Sequence, residues 1–335
     1  MDVLKNAIKA TIFKQGKRNM PKAFHVGLAG TFDYIPHLGM VIMSLAKCNP
    51  DIDFVFHLFV NHLPEDEEQR LASAAEQTGN AIKIHVVNDA AFSSIVFGKY
   101  NASFFYRFIM PDILKDETDR LLYMDGDMMC RGNLKELQNL LLENHLAAVV
   151  SDRDEKRQMD QLQVKGFFNS GLMLINVKQW IEEHLLQTIL EFSHENLKYV
   201  GKNGRHSQWK NALYNDQNIL NKILDGRVVW LPKKYNYIYK LNRSALLRKK
   251  ASNEDYREQV ILHFAGSVKP WHDWAQEWPV VKEYREIWLD SPWADIPLSA
   301  PKSRKDCHQA AREYRVTGQW GKALKWYSEY YKKKF

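Results

Sequence analysis

From Phe24 onward the chain alternates apolar runs of strand length with stretches whose apolar residues fall at helical spacing. "FHVGLAG" predicts a strand and "HLGMVIMSLAK" the helix after it. The order repeats in "DIDFVFHLFV", in Glu65 to Gln77 and in "AIKIHVV", which predict strand, amphipathic helix and strand. "SFFYRFIMPDIL" leads into "RLLYM", a short buried strand bounded by charge on one side and glycine beyond the other. Farther on, "NLKELQNLLLEN" predicts a helix, "AAVVSD" a strand, and "FFNSGLMLINV" an apolar strand entered through polar residues. "NDQNILNKIL" opens a helix that Asn215 or Asp216 can cap. "VILHFAG" predicts a last core strand before the turn "SVKPWH". This alternation predicts an α/β domain with a mostly parallel, doubly wound sheet. Beyond Trp271 the chain changes to Trp-rich, proline-punctuated helical segments. The predicted parts are a basic N-terminal segment (1–22), an α/β domain (23–270) and a helical C-terminal region (271–335).

Composition narrows the class. A chain of 335 residues can bury a large core. Cys48, Cys130 and Cys307 are odd in number, far apart and without C-x-x-C spacing, so they predict neither a disulfide framework nor a zinc site. Asn101-Ala-Ser103 and Asn242-Arg-Ser244 match the glycosylation sequon, a pattern short enough to recur by chance. No apolar stretch has bilayer-spanning length, and the N-terminus lacks a secretory apolar region, so the expectation is a cytoplasmic protein. The formal charge of +7 is unevenly spread. Residues 1–22 hold six Lys/Arg and one Asp, and residues 302–335 hold ten Lys/Arg and three acids. Removing both from the chain's 47 basic and 40 acidic residues leaves 31 and 36, an acidic body with basic ends. That distribution points to an anionic surface met by the ends, and away from nucleic acid.

The candidate chemistry begins at "YMDGDMMC". Residues i and i+2 of a strand face the same way, so Asp125 and Asp127 would stand side by side. Two such carboxylates repel unless one is protonated or a cation sits between them. A strand-ending turn with solvated acids is the alternative. Ligands of doubly wound sheets gather at the carboxyl ends of the strands, where this pair lies. Asp152, Asn169, Asp216, Gln217, His263 and Lys269 also fall at predicted strand ends or helix starts. Each has a structural alternative: Asn169 a turn cap, His263 a core histidine, Lys269 a solvated loop residue. Together they make a consistent site, because two carboxylates and an imidazole suit a divalent ion and a lysine suits phosphate oxygens.

"YMDGDMMC", "FNSGLMLINVKQW", "YNDQNILN" and "HFAGSVKPWH" stand in the order and at about the intervals of family 8 glycosyltransferases, which the chain resembles from about Phe24 to Trp274. "SPWADIPLSA" and the basic, aromatic end are similar to the bacterial branch that builds the lipopolysaccharide core, the lipopolysaccharide 1,2-glucosyltransferases. The resemblance implies the GT-A (Rossmann-like) fold and retaining, metal-dependent transfer of glucose from UDP-glucose to a hexose of the lipopolysaccharide core. It implies Mn2+, with Mg2+ as the alternative ion, on Asp125, Asp127 and His263. It implies donor contacts from Arg107, Gly126 and Asn169, and from Gly266 and Lys269 in a loop around the diphosphate. Gln217, Asp216 and Asp152 would carry the catalysis, with Gln217 facing the reacting carbon. Ala29, Gly30, Thr31, Asp33 and Tyr34 match the uridine-binding turn, where Thr31 and Phe32 replace aspartates common in relatives. Asn218 replaces the second aspartate of a common D-Q-D. UDP-galactose is the alternative donor, a metal-dependent phosphoryl or nucleotidyl transferase the alternative class, and a non-catalytic sugar- or lipid-binding protein a third reading.

The ends complete the expectation. Trp320, Leu324, Tyr327 and Tyr331 recur at helical spacing among Lys322, Lys325 and Lys332 to Lys334. They form either a helix docked on the core or an interfacial helix on the cytoplasmic face of the inner membrane, and the charge clustering favours the second. Leu4, Ile8 and Ile12 share that spacing near the N-terminus, as a weaker membrane contact or a disordered segment.

Overall fold

Strands covered on both faces read as continuous apolar runs, and the runs described above become neighbours in one sheet. The structure, a computed structural model, describes residues 3–17, 22–92, 101–152, 155–197, 216–241, 256–275 and 278–333. Its strands are β1 (Ile8–Lys14), β2 (Phe24–Gly30), β3 (Phe54–Val60), β4 (Ala81–Val87), β5 (Arg120–Met124), β6 (Met128–Cys130), β7 (Ala147–Ser151), β8 (Phe168–Asn176), β9 (Val228–Trp230), β10 (Tyr237–Ile238) and β11 (Ile261–His263). Among the described residues the main sheet runs β1-β4-β3-β2-β5-β8-β7-β9, and β10-β11-β6 form a smaller one. The β4-β3-β2-β5 centre is parallel, whereas β8 lies antiparallel to both β5 and β7.

Helices α1 (Ile35–Cys48), α2 (Glu65–Thr78), α3 (Tyr106–Leu114), α4 (Lys135–Gln138), α5 (Glu155–Leu162), α6 (Val177–Glu182), α7 (Leu185–Leu197) and α8 (Asp216–Ile223) connect the strands. The alternation along β5 divides the core. Leu122 and Met124 join the side of α1 and α2, while Leu121 and Tyr123 join the side of α3, α6 and α8. This is the mostly parallel α/β architecture expected from the sequence.

Three local expectations change. Of "NLKELQNLLLEN", only α4 is helical. Side-chain donors from elsewhere take carbonyls that a longer helix would need: Arg120 reaches Leu140 O at 2.8 Å and Asn176 reaches Glu143 O at 3.1 Å. The strand in "VILHFAG" leaves the main sheet and pairs with β6. The helical spacing of Leu4, Ile8 and Ile12 yields no helix past Asn6. Residues 8–14 pair antiparallel with β4, whose edge would otherwise carry unpaired backbone groups. Asn215 lies outside the described residues.

The chain beyond Trp271 enters the core of the sheet rather than standing apart from it. Trp271, Trp274, Trp278 and Trp293, with Tyr284 and Trp288 of α9 (Pro279–Leu289), belong to the cluster that contains Val26, Phe56 and Met124. Trp293 donates its indole N–H to Glu67 Oε2 at 2.8 Å, and Arg70 grips Asp295 beside it. Two helices follow, α10 (Arg304–Val316) and α11 (Trp320–Lys332). Ser303 and Asp306 form a reciprocal cap at the start of α10.

Trp293 lies against Gly39 of α1, where a Cβ would come within 2.3 Å of the indole ring. Gly39→Ala gains about 1 kcal/mol of helix propensity, whereas forcing a methyl into a packed core costs about 1–3 kcal/mol. The rigid ring should make the second effect win, so the variant is expected to unfold at lower denaturant. A midpoint equal to or above the parent's in chemical denaturation would show that Trp293 gives way freely.

Candidate active site

Strand β5 ends at Met124 and aims the next residues into the carboxyl end of the sheet. Tyr123 and Asp125 face the same side, and the Tyr123 hydroxyl donates to Asp125 Oδ1 at 2.7 Å. The Asp125 N–H donates to Gly171 O at 2.8 Å, which keeps the chain alongside β8 past the end of the strand. Strand β6 begins one residue after Asp127 and pairs with β11, with Met128 opposite His263. That pairing sets His263 Nε2 3.2 Å from Asp127 Oδ1 and 4.0 Å from Asp125 Oδ2. Lys269 completes the group, with Nζ 2.6 Å from Asp127 Oδ2 and 2.8 Å from Phe264 O. Burial alone would raise the Asp127 carboxyl, but His263 and Lys269 outweigh it and hold the group well below the usual carboxylate range.

The donor set was tested against a divalent ion on its own chemistry. Ligand atoms of Asp125, Asp127 and His263 all lie within 4.8 Å of one another. His263 Nδ1 is 3.0 Å from Asn236 Oδ1. An amide oxygen only accepts, so Nδ1 carries a proton and Nε2 is the nitrogen turned to the carboxylates. Asn236 is itself fixed, because its Nδ2 donates to Asn169 Oδ1 at 2.9 Å. Two carboxylate oxygens and one oriented imidazole nitrogen fit a divalent ion.

A second layer ties this group to the rest of the site. Arg107 of α3 is buried, with its guanidinium 3.1 Å from Asp125 Oδ1 and 3.0 Å from Asp216 Oδ2 at the start of α8. It also donates to Ser170 O at 3.1 Å and lies over the Tyr123 ring at 4.4 Å. Burial opposes its charge, yet Asp216, Tyr123 and Asp125 keep it protonated above its ordinary range. Gln217, one residue after Asp216, accepts the Ser170 N–H at 3.2 Å and donates to Asp152 Oδ2 at 3.1 Å. Asn169 donates to Gln217 Oε1 at 3.3 Å and to Asp152 Oδ2 at 3.4 Å. Asp152, Asn169 and Gln217 are thus one hydrogen-bonded cluster, with Asp216 tied to the two aspartates through Arg107.

A cleft of ≈ 350 Å³ opens beside Asp125 and Asp127, lined also by Ala29, Gly30, Thr31, Tyr34, Arg107 and Gly126. Thr31 donates to Asp33, and the Phe32 N–H donates to Asn61 Oδ1 at 3.0 Å. Asp33 thus accepts a hydrogen bond within its own loop. Gly126 is needed because a Cβ would meet Leu38 at 2.6 Å and Tyr34 at 2.7 Å. Gly266 takes φ +121°, which L side chains rarely adopt, in the loop that leads from His263 to Lys269.

Sequence reasoning missed Asn236, Tyr123, Ser170, Gly171 and the Asn101–Ser103–Phe104 wall of the cleft. Asn101 reads in the sequence only as a sequon, whereas its side chain caps the turn before α3 by accepting the Ser103 N–H. Gly171 is legible only in three dimensions. A Cβ there would reach His263, Asp125 and Asn169 at 2.7, 2.8 and 2.9 Å.

The mostly parallel sheet with its flanking helices is the GT-A fold of glycosyltransferases, as its solved structural neighbours show. Galactosyltransferase LgtC, solved in complex with donor and acceptor sugar analogs, superposes with a TM-score of 0.64 at 21% identity, over 80% of this chain and 96% of LgtC. The chain belongs to glycosyl transferase family 8, whose profile matches residues 25–275. It is 28% identical to the lipopolysaccharide 1,3-galactosyltransferase of Salmonella typhimurium over 305 residues, covering 88% of this chain and 87% of the relative. It is 27% identical to the lipopolysaccharide 1,2-glucosyltransferase of Escherichia coli K12 over 320 residues, covering 92% and 89%.

Asn236→Leu keeps the bulk of the side chain and removes both hydrogen bonds. Loss of an outer-shell partner of this kind typically costs ~10–100-fold in metal affinity. Mn2+ titration followed by the free-ion resonance signal is expected to show that weakening, and unchanged affinity would mean that His263 is oriented by packing alone.

Proposed function

We propose that the protein transfers a hexose, glucose in the first instance, from a UDP-sugar to a hexose of the lipopolysaccharide core, with retention at the anomeric carbon. The observation that carries the proposal is the convergence of Asp125, Asp127, His263 and Lys269 beside the neutral cluster of Asn169 and Gln217. Breaking a sugar–diphosphate bond builds negative charge on the leaving oxygen and positive charge on the sugar ring. The charged group is suited to the first and the carboxylate and amide oxygens to the second.

In this reading Asp125, Asp127 and His263 hold a divalent ion, which when bound supplies charge stabilisation to the diphosphate. Lys269 adds a point charge from the loop through Gly266. Arg107 pairs with both Asp125 and Asp216 and holds them in place from its buried position. Gln217 would present its amide to the transferred sugar, its orientation set by the Ser170 N–H. The acceptor hydroxyl forms the new bond to the anomeric carbon as the bond to the diphosphate breaks, and its proton passes to the leaving phosphate. A two-metal phosphoryl transferase would want further acidic ligands at the same place. Among the described residues Asp216 is engaged by Arg107 and the ligand group there is Asp125, Asp127 and His263.

The relatives named for lipopolysaccharide support a membrane-held acceptor. Among the described residues no helix is long and apolar enough to cross a membrane. Helix α11 offers a surface instead. Ala323 and Trp326 pack toward the core, while Trp320, Leu324 and Tyr331 are 62%, 68% and 60% exposed on another face. Exposed Lys322, Lys325 and Lys332 flank that stripe. Each cation near an anionic bilayer contributes ~1 kcal/mol, and the aromatic stripe adds apolar burial.

A panel of UDP-sugars with Mn2+, scored for hydrolysis without acceptor, tests the donor, and UDP-glucose is expected to turn over fastest. Asp127→Asn should remove turnover, and full activity in chelator would sink the metal assignment. Gln217→Ala is expected to lower kcat by ~10²–10³ with little change in KM, as for loss of a transition-state contact. A pure rise in KM would make Gln217 a ground-state binder.

Replacing Trp320, Leu324 and Tyr331 by serine should release the protein from anionic phospholipid vesicles in co-sedimentation while donor hydrolysis persists. Vesicle binding equal to the parent's would rule out the α11 stripe as the contact.

A further inference from the structure

On the face of the sheet that packs against α3, three imidazoles from three adjacent strands form a hydrogen-bonded row. His25 Nδ1 of β2 is 2.9 Å from His57 Nε2 of β3, and His57 Nδ1 is 3.2 Å from His85 Nε2 of β4. The row ends at Thr11 of β1, whose Oγ1 is 3.2 Å from His85 Nδ1. His57 and His85 are buried, His25 is half-buried, and Glu117 stands at the surface in the turn between α3 and β5. None of these groups touches the cleft. His25 lies four residues before Ala29, about 13 Å along the strand from the cleft wall.

We propose that one ring nitrogen each of His25 and His57, with the Glu117 carboxylate, forms a second divalent-metal site suited to Zn2+ or Ni2+. The candidate ligand atoms of the three residues all lie within 4.8 Å of one another. Two imidazoles and one carboxylate favour these ions over Mg2+ or Mn2+, by ligand type and by intrinsic affinity order. The rest of the row is the outer shell such a site needs. Ligation through His57 Nε2 requires the proton on Nδ1, where His85 Nε2 accepts it, and His85 Nδ1–H then meets Thr11 Oγ1. Each imidazole keeps one proton, on the nitrogen turned away from the ion, so binding to the neutral rings releases none. Burial holds all three rings below the ordinary histidine range, which leaves them neutral at pH 7.

Two adjustments accompany binding. Nitrogens bound tetrahedrally at ~2.0–2.1 Å stand about 3.3 Å apart, so the 2.9 Å gap opens slightly, through the less confined His25. Lys83 Nζ, now 2.5 Å from Glu117 Oε2, must swing aside and therefore competes with the ion. The bound ion would fasten β2 and β3 to the turn that leads into β5, the strand that ends at Asp125.

The test uses the full chain carrying Asp127→Asn, which weakens the first site, stripped with chelator and titrated calorimetrically with Zn2+ and with Mn2+. One equivalent of Zn2+ is expected to bind, with Mn2+ far weaker. Adding Glu117→Gln, a surface change that leaves the imidazole row intact, should weaken Zn2+ by at least ~10-fold. Adding Lys83→Met should tighten it by removing the competitor. Absence of Zn2+ binding in Asp127→Asn, or affinity indifferent to both Glu117→Gln and Lys83→Met, overturns the proposal.

Discussion

Arg107 shares one buried guanidinium among Asp125 after β5, Asp216 at the start of α8, and Ser170 in β8. Three segments that meet only in the folded chain are thereby held in one register. A buried charge is tolerated only when paired, and removing one partner of such a pair typically costs about 3–5 kcal/mol. The two carboxylates and the arginine therefore stand or fall together. The Tyr123 ring beneath the guanidinium and the Tyr123 hydroxyl on Asp125 add to the same anchor. The candidate metal-ligand group includes Asp125 itself and Asp127 two residues farther along, so its geometry depends on this pairing.

The site divides by charge. At one end Asp125, Asp127, His263 and Lys269 concentrate formal charge. At the other, Asn169 and Gln217 present amides around Asp152. Asn236 joins the halves, accepting from His263 and donating to Asn169. A reaction that separates an anionic leaving group from a cationic sugar needs two unlike environments close together. A single neutral asparagine can couple them without adding charge to either.

The C-terminal segment takes part in the same structure. Trp271 and Trp274 follow directly on the loop that carries Lys269, and with Trp293 they pack into the core on the α1 side. The loop is therefore anchored on both flanks, by β11 before it and by this aromatic cluster after it. Helices α10 and α11 follow that cluster, bury Ala310, Tyr314 and Ala323 in it, and concentrate basic residues at this end of the chain.

The sequence alone determined the strands β2, β3, β4, β5, β7 and β8, because strands buried on both faces must be apolar throughout and so announce themselves. It also placed the separate motifs of the site, since carboxylates, an imidazole and amides at strand ends are costly unless they are used. Tertiary structure decided what depended on distant partners. The run after Asn133 stays mostly non-helical because Arg120 and Asn176 claim its carbonyls. Residues 8–14 become a strand because the edge of β4 offers them a ladder. Asn236 has no periodic or compositional mark, and its role exists only because His263, 27 residues later, and Asn169, 67 residues earlier, are folded onto it. Local pattern records what a segment must bury, whereas hydrogen bonds between remote groups are written only in the packed chain.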